Sequence, residues 1–365
     1  MLSRSFSIYL DLIRFVAALL VLFYHSNFKE LTANTAPFSN YGHSAVIVFF
    51  VLSGYVIAYV TDTKEKTFKK YALSRMARIY SVAIPVLILT PLLDMGGELL
   101  NPEFYVDKAT HDYWYIRIIS SLFFLNEIWF VSIMSFSNVP YWSLCYEVWY
   151  YALFAAGSFI NGKKKWILIT LLCLLIGPKI LLLFPLWYLG VWMYRSGFLA
   201  NIRPLYGFFT WIVTLVLIIA FHSLNIQFLF SGWLNEITGD ELFKQLTFSK
   251  YFLSDYLFAP LIALNFLSAK SFCEAIEGSV LKVKPIICYL ASYTFIMYLI
   301  HQPLLQFFSA LISGNPNDRI FYIHVMVCVL ASVWLLGHLT ENQKTGWKTL
   351  VTKIWDAAEL RFQQR

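Results

Sequence analysis

Apolar residues run in long blocks along this chain, with polar and basic clusters between them. A helix that crosses a bilayer needs roughly 17–25 mostly apolar residues. Measured that way, the blocks predict about ten spanning helices, near residues 8–28, 44–61, 79–93, 138–160, 166–177, 180–195, 205–222, 251–268, 286–311 and 320–339. The third, fifth and sixth are short, and the fifth and sixth meet at the helix breaker Gly177-Pro178. Residues 114–136 are aromatic and apolar and read as a re-entrant or interfacial helix, so eleven spans stay open. The expected fold is all-α: one polytopic integral membrane domain over 1–365, ending in a tail from about 340 to 365.

Composition agrees with a bilayer setting. The chain is 59% hydrophobic and only 13% charged, with a mean hydropathy of +0.63, where soluble domains carry about 25% charge. The N-terminal run from Ile8 to Phe28 has spanning length and no small-residue cleavage site after it, so it reads as a retained helix. The net charge of +7 would suit nucleic acid, but its distribution excludes that reading. Most of the 28 Lys and Arg fall on one set of loops: Arg4, the Lys64–Arg78 cluster, Lys163 to Lys165, Arg195, Arg203, Lys270, Lys282, Lys284, and the tail with Lys344, Lys348, Lys353, Arg361 and Arg365. Lys29, Lys108, Arg117, Lys179, Lys244, Lys250 and Arg319 fall on the other set, as does an acidic loop with Asp94, Glu98, Glu103, Asp107 and Asp112. By the positive-inside rule the first set, and both termini, are cytoplasmic. Cys145, Cys173, Cys273, Cys288 and Cys328 all lie in apolar segments without a CxxC pair and read as small core residues.

The first apolar segment, "YLDLIRFVAALLVLFYHS", carries Asp11, Arg14 and His25. Ionisable residues at bilayer depth are costly and mark functional sites. Arg14 and His25 are eleven residues apart, about 20° from three full turns and about 16 Å along the axis. They share one face, and Asp11, one turn before Arg14, can neutralise it. A polar face on an apolar helix implies a polar cavity inside the bundle. Snorkelling of both side chains to opposite headgroup layers is the other reading of the same pattern.

Four stretches carry a family resemblance. They are Arg14-x10-His25, "FFVLSGYVI" (49–57), the Arg-x-x-Arg of "RMAR" (75–78), and "YWSLCYEVWYY" (141–151), with a weaker fifth in "SYTFIMYLIHQPLL" (292–305). Together they resemble the acyltransferase type 3 family of bacterial membrane O-acyltransferases. The chain departs from it in having "HSAVIVFF" where many members have an Asp before the paired Phe, a role left vacant or passed to His43 or Ser44.

The resemblance implies transfer of an acyl group, acetyl first among them, from cytosolic acyl-CoA to a hydroxyl of a cell-envelope polysaccharide or lipid-linked sugar, in the bacterial cytoplasmic membrane. The chain would work without a permanent cofactor. His25 is the expected base, since imidazole suits proton transfer at neutral pH. Glu147, judged to lie at a similar depth, is expected to orient and charge-stabilise it as the acid does in a triad. Arg75 and Arg78 are expected to hold the phosphates of CoA; Arg14 either joins them or pairs with Asp11 alone. Ser53 and Tyr55 are expected around the cavity, where small residues permit close helix packing, and Ser53 is not read as a nucleophile, because the sequence shows no base beside it; Trp142, Ser143 and His301 are supporting residues. No spacing such as HExxH is present, and no metal is expected. Direct transfer and an acyl-enzyme both remain open, as does oligomeric state. A proton-coupled transporter or flippase would also use intramembrane Asp, Arg, His and Glu, but the inverted repeats common in transporters are not evident.

Overall fold

The structure, a computed structural model, describes residues 3–35, 38–106, 112–197 and 202–363. Asp107, Lys108 and Arg365, named above, lie outside these. The described residues are helical, with no strand among them beyond a single isolated bridge between Ser135 and Asn138. In chain order the helices are α1 (Arg4–His25), α2 (Gly42–Thr63), α3 (Phe68–Leu100), α4 (Pro102–Tyr105), α5 (Trp114–Leu122), α6 (Tyr141–Phe159), α7 (Gly162–Ile176), α8 (Pro178–Ser196), α9 (Pro204–Ser223), α10 (Ser231–Gln245), α11 (Phe252–Ala275), α12 (Glu277–Ala291), α13 (Thr294–Ile312), α14 (Arg319–Leu339) and α15 (Lys344–Gln363).

By length and composition, seven helical stretches among the described residues can cross a membrane: those built on α1, α2, α3, α9, α11, α13 and α14. The three further spans expected from the sequence correspond to α6, α7 and α8. Helix α7 has 15 residues, and α6 and α8 are rich in Tyr and Trp, which lowers their hydropathy although they pack in the core.

Local sequence explains several boundaries. Ser3 caps α1 by accepting a hydrogen bond from the Phe6 N–H, and Thr67 caps α3 through the Lys70 N–H. Gly177, at φ +78, separates α7 from α8 as expected. The span expected over 286–311 is instead broken at Ser292-Tyr293, between α12 and α13. The new N-terminus of α13 is satisfied from a distance: Glu341, just after α14, accepts from the N–H groups of Phe295 and Ile296, both at 3.2 Å. The C-terminal tail is helical as α15 and lies on α3, with Lys69 bridging to Asp356 and Glu359 and Trp355 against Phe68.

Residues 114–136 form the short α5 followed by an irregular, partly buried segment reaching α6. Phe124, Trp129 and Phe136 adopt positive φ there. Non-helical backbone packed inside a membrane protein survives where its own N–H and C=O groups find partners. Trp129 N–H bonds to the Ile176 carbonyl, and Asp94 accepts from the backbone and hydroxyl of Ser137. Lys179 and Glu127, both fully buried, form an ion pair at 2.7 Å. Asp94 and Lys179 are therefore interior groups that fix this segment, and not loop charges.

Helices α2 and α8 touch backbone to backbone. A Cβ at Gly54 would lie 1.9 Å from the Trp187 carbonyl oxygen, and one at Gly190 would lie 1.9 Å from that of Val51. Only glycine permits this approach, and it fixes Ser53 on α2 against Trp187 on α8.

Candidate active site

Helix α1 presents Asp11, Arg14 and His25 to the bundle as the periodicity suggests. Arg14 bonds Asp11 at 2.9 Å, one turn away. Beside Arg14 lies a narrow cavity of about 70 Å³, smaller than ordinary small-ligand sites. Its walls come from α1 (Arg14), α2 (Phe49, Phe50, Ser53, Ile57), α3 (Arg78), α6 (Ser143, Glu147, Tyr151) and α13 (Thr294, Phe295, Tyr298). A second cavity of about 220 Å³ is lined by Asp11, Arg14, Arg78, Ser81, Cys288, Ser292, Glu341 and Lys344. The two share Arg14 and Arg78, so this pair forms the waist between them. The break between α12 and α13 contributes Ser292 to one cavity and Thr294 to the other.

Arg78 is exposed although it sits between these helices; its exposure is to the cavities it lines. It makes no hydrogen bond or ion pair within 4 Å among the described residues, and the carboxylates that act on it from farther away include Glu147, Glu341 and Asp11. Its expected companion Arg75 points elsewhere. Arg75 is buried against the rings of Tyr71 and Tyr151 and bonds Glu65 at 2.9 Å. One turn of helix carries the two arginines in different directions, so only Arg78 lines the cavities.

Glu147 accepts two hydrogen bonds on Oε1, from Ser53 Oγ at 2.5 Å and from Tyr151 OH at 2.5 Å. Trp187 Nε1–H donates to Ser53 Oγ at 3.2 Å. Glu147 also acts electrostatically on Arg14 and Arg78. The expected His25–Glu147 hydrogen bond does not form. The cavity wall includes Arg14 and Glu147 but not His25, and Glu147 acts on Arg14. Depth counted from the aromatic start of α6 did not identify the residues that face the carboxylate.

The neighbour of His25 is His301. Their rings are 5.1 Å apart. His301 is fully buried, donates from Nδ1 to the Met297 carbonyl at 3.0 Å, and leaves Nε2 without a hydrogen-bond partner among the described residues. That bond fixes the tautomer, so Nε2 carries a lone pair. One turn back on α13, Tyr298 shares a hydrogen bond of 2.5 Å with Ser143 and reaches the cavity.

The remaining expected residues divide. Ser53 and Ser143 line the cavity. Tyr55 does not; it packs against Phe6 and Tyr194 on the other side of α2. Trp142 stacks on Phe248 with centroids 4.3 Å apart and supports the wall through Phe50. His43 bonds Asp255 of α11 at 3.0 Å and is not part of the cavity wall. Tyr151, Trp187, Tyr298, Glu341 and Lys344 were not singled out from the sequence. Tyr151 and Tyr298 lie within the two quoted stretches, four residues after Glu147 and three before His301. Glu341 follows the last span and carried no signal. Among the described residues no three His, Cys, Asp or Glu are grouped to hold a metal ion.

No curated protein and no solved structure matches the chain. A family model, described as an acyltransferase domain, matches residues 7–338, a stretch that takes in every side chain of the cavity wall and both imidazoles beyond it, so the chain belongs to the acyltransferase type 3 family of membrane acyltransferases.

Proposed function

We propose that this membrane acyltransferase takes its acyl group, acetyl in the simplest case, from acyl-CoA and delivers it to a hydroxyl of a cell-envelope polysaccharide or lipid-linked sugar, at the bacterial cytoplasmic membrane. The observation that carries the reading is Arg78: a guanidinium without a hydrogen-bond or ion-pair partner among the described residues, shared with Arg14 by two adjoining cavities. A guanidinium fork matches phosphate geometry, and CoA is a phosphate-rich donor on a long flexible arm. Its phosphates would rest in the second cavity against Arg78 and Lys344, and its thioester would extend past the waist toward Glu147. Basic loops on the Arg78 side support a cytoplasmic donor, with both termini on the same side and about ten spans in all.

The acceptor would approach from the far end, where His25 and His301 lie ring to ring. The free lone pair of His301 Nε2, together with the imidazole of His25, can accept hydrogen bonds from sugar hydroxyls. Such a division puts donor and acceptor at opposite ends of one polar path and needs no permanently bound cofactor.

The test is transfer of label. Membranes containing the wild-type protein, given acetyl-CoA labelled in the acetyl group, should label an envelope glycan. Membranes with His25→Ala should not, while retaining CoA binding. Equal labelling by both, or none by the wild type with its native envelope present, would overturn the reading.

A further inference from the structure

Ser53 stands out among the hydroxyls of the cavity wall. It donates its proton to Glu147 and accepts from the Trp187 N–H. Tyr151 donates to the same carboxylate oxygen and holds it in line. A nucleophile within hydrogen-bond reach of a base, with the base oriented by a third group, is the arrangement that activates a hydroxyl. The backbone contact at Gly54 and Gly190 fixes Ser53 in place. Both hydrogen bonds to Glu147 come from hydroxyls, and among the described residues no cation lies within 4 Å of it.

The wall that carries Ser53 and Glu147 does not include His25. Two half-reactions let the donor leave before the acceptor enters, so that one base, Glu147, can serve each in turn.

We propose that Ser53 is the nucleophile that carries the acyl group, with Glu147 as its base. The inference rests on the acyltransferase reading above and deepens it. In the first half-reaction Ser53 Oγ attacks the thioester carbonyl carbon and its proton passes to Glu147. The C–S bond breaks, and Glu147 returns the proton to the departing sulfur, leaving CoA thiol and an ester on Ser53. The Trp187 N–H stabilises the charge that builds on Oγ. In the second half-reaction the acceptor, held through its other hydroxyls by His25 and His301, presents one hydroxyl that attacks the ester carbonyl and gives its proton to Glu147. The bond from Ser53 Oγ to the acyl carbon then breaks as Glu147 reprotonates the oxygen. Thioester and alcohol become thiol and ester, with no further reactant.

The experiment uses the full chain in nanodiscs with acetyl-CoA labelled in the acetyl group and no acceptor, quenched rapidly and digested. The wild type should release about one equivalent of CoA, as a covalent intermediate requires, and mass spectrometry should find acetyl on the peptide containing Ser53. Glu147→Gln should slow labelling by about 10²–10⁴-fold. Ser53→Ala should bind CoA yet take no label, and Ser53→Cys should restore label as a hydroxylamine-sensitive thioester, which excludes misfolding as the cause. His25→Ala should accumulate labelled Ser53. Turnover by Ser53→Ala at the wild-type rate, or a wild type that labels glycan without ever labelling Ser53, would overturn the proposal and leave the acyltransferase reading standing. A wild type that neither releases CoA nor labels glycan would overturn both.

Discussion

Adding one methyl group at Gly54 tests how the site is held. In Gly54→Ala the new Cβ would sit 1.9 Å from the Trp187 carbonyl oxygen and 3.0 Å from its carbon. Both atoms are α8 backbone, so no side-chain rotation relieves the clash. Ordinary contact begins near 3.4 Å, so α2 and α8 must part by about 1.5 Å, the difference between 3.4 and 1.9 Å. The Trp187–Ser53 hydrogen bond, 3.2 Å long, would then exceed the limit of about 3.5 Å. Overpacking of this kind costs ~1–3 kcal/mol, and a misplacement of about 1 Å at a reacting group lowers rates by about 10²-fold. The assay is CoA release from acetyl-CoA, beside a melting curve in detergent. Gly54→Ala should melt lower and lose about two orders of magnitude in rate, while CoA binding at the Arg78 waist persists. Gly190→Ala should behave alike, because its Cβ meets the Val51 carbonyl at 1.9 Å. Gly157→Ala in α6, with nothing within 4 Å, should keep its rate and gain about 1 kcal/mol of helix propensity. Wild-type rate and melting in Gly54→Ala would refute the claim that this contact positions Ser53.

Other substitutions separate the remaining roles. Arg78→Ala should raise the KM for acyl-CoA with kcat nearly kept, because a phosphate contact contributes mainly uniform binding; Arg75→Ala, which loses the Glu65 pair, should lower the melting temperature and leave KM close to wild type. Lys179→Met strands the buried carboxylate of Glu127 and should destabilise the fold by ~3–5 kcal/mol in a melting assay, whereas the double replacement with Glu127→Leu should recover most of that loss. A Thr67→Cys variant in intact cells should resist an impermeant thiol reagent, since the loop before α3 is expected on the cytoplasmic side; labelling there would invert the topology.

What the sequence made legible follows from where the information lies. The shared face of Arg14 and His25 is a property of one helix, and helical periodicity reveals it. Glu147 drew notice as a carboxylate in an apolar run and Ser53 as a cavity residue, but their pairing did not, because depth along α6 says nothing about which facing residue sits at the same level. Arg75 and Arg78 look equivalent in a motif and differ in direction by their rotation around α3. The break between α12 and α13 has no glycine or proline to announce it, and its cap is Glu341, some forty-six residues farther on. The buried segment after α5 rests on Lys179 and Glu127, an ion pair between residues distant in sequence. Each of these depends on tertiary contact, which local pattern does not encode.

The account's central claim is that the waist formed by Arg14 and Arg78 receives the acyl donor. A cryo-EM structure of the protein in a nanodisc with CoA bound tests it most directly. The account expects the phosphates against Arg78 and Lys344, and the pantetheine arm running between α1 and α3 so that the sulfur ends beside Ser53 and Glu147. CoA seated on any other face of the bundle, or an arm pointing away from Glu147, would contradict it.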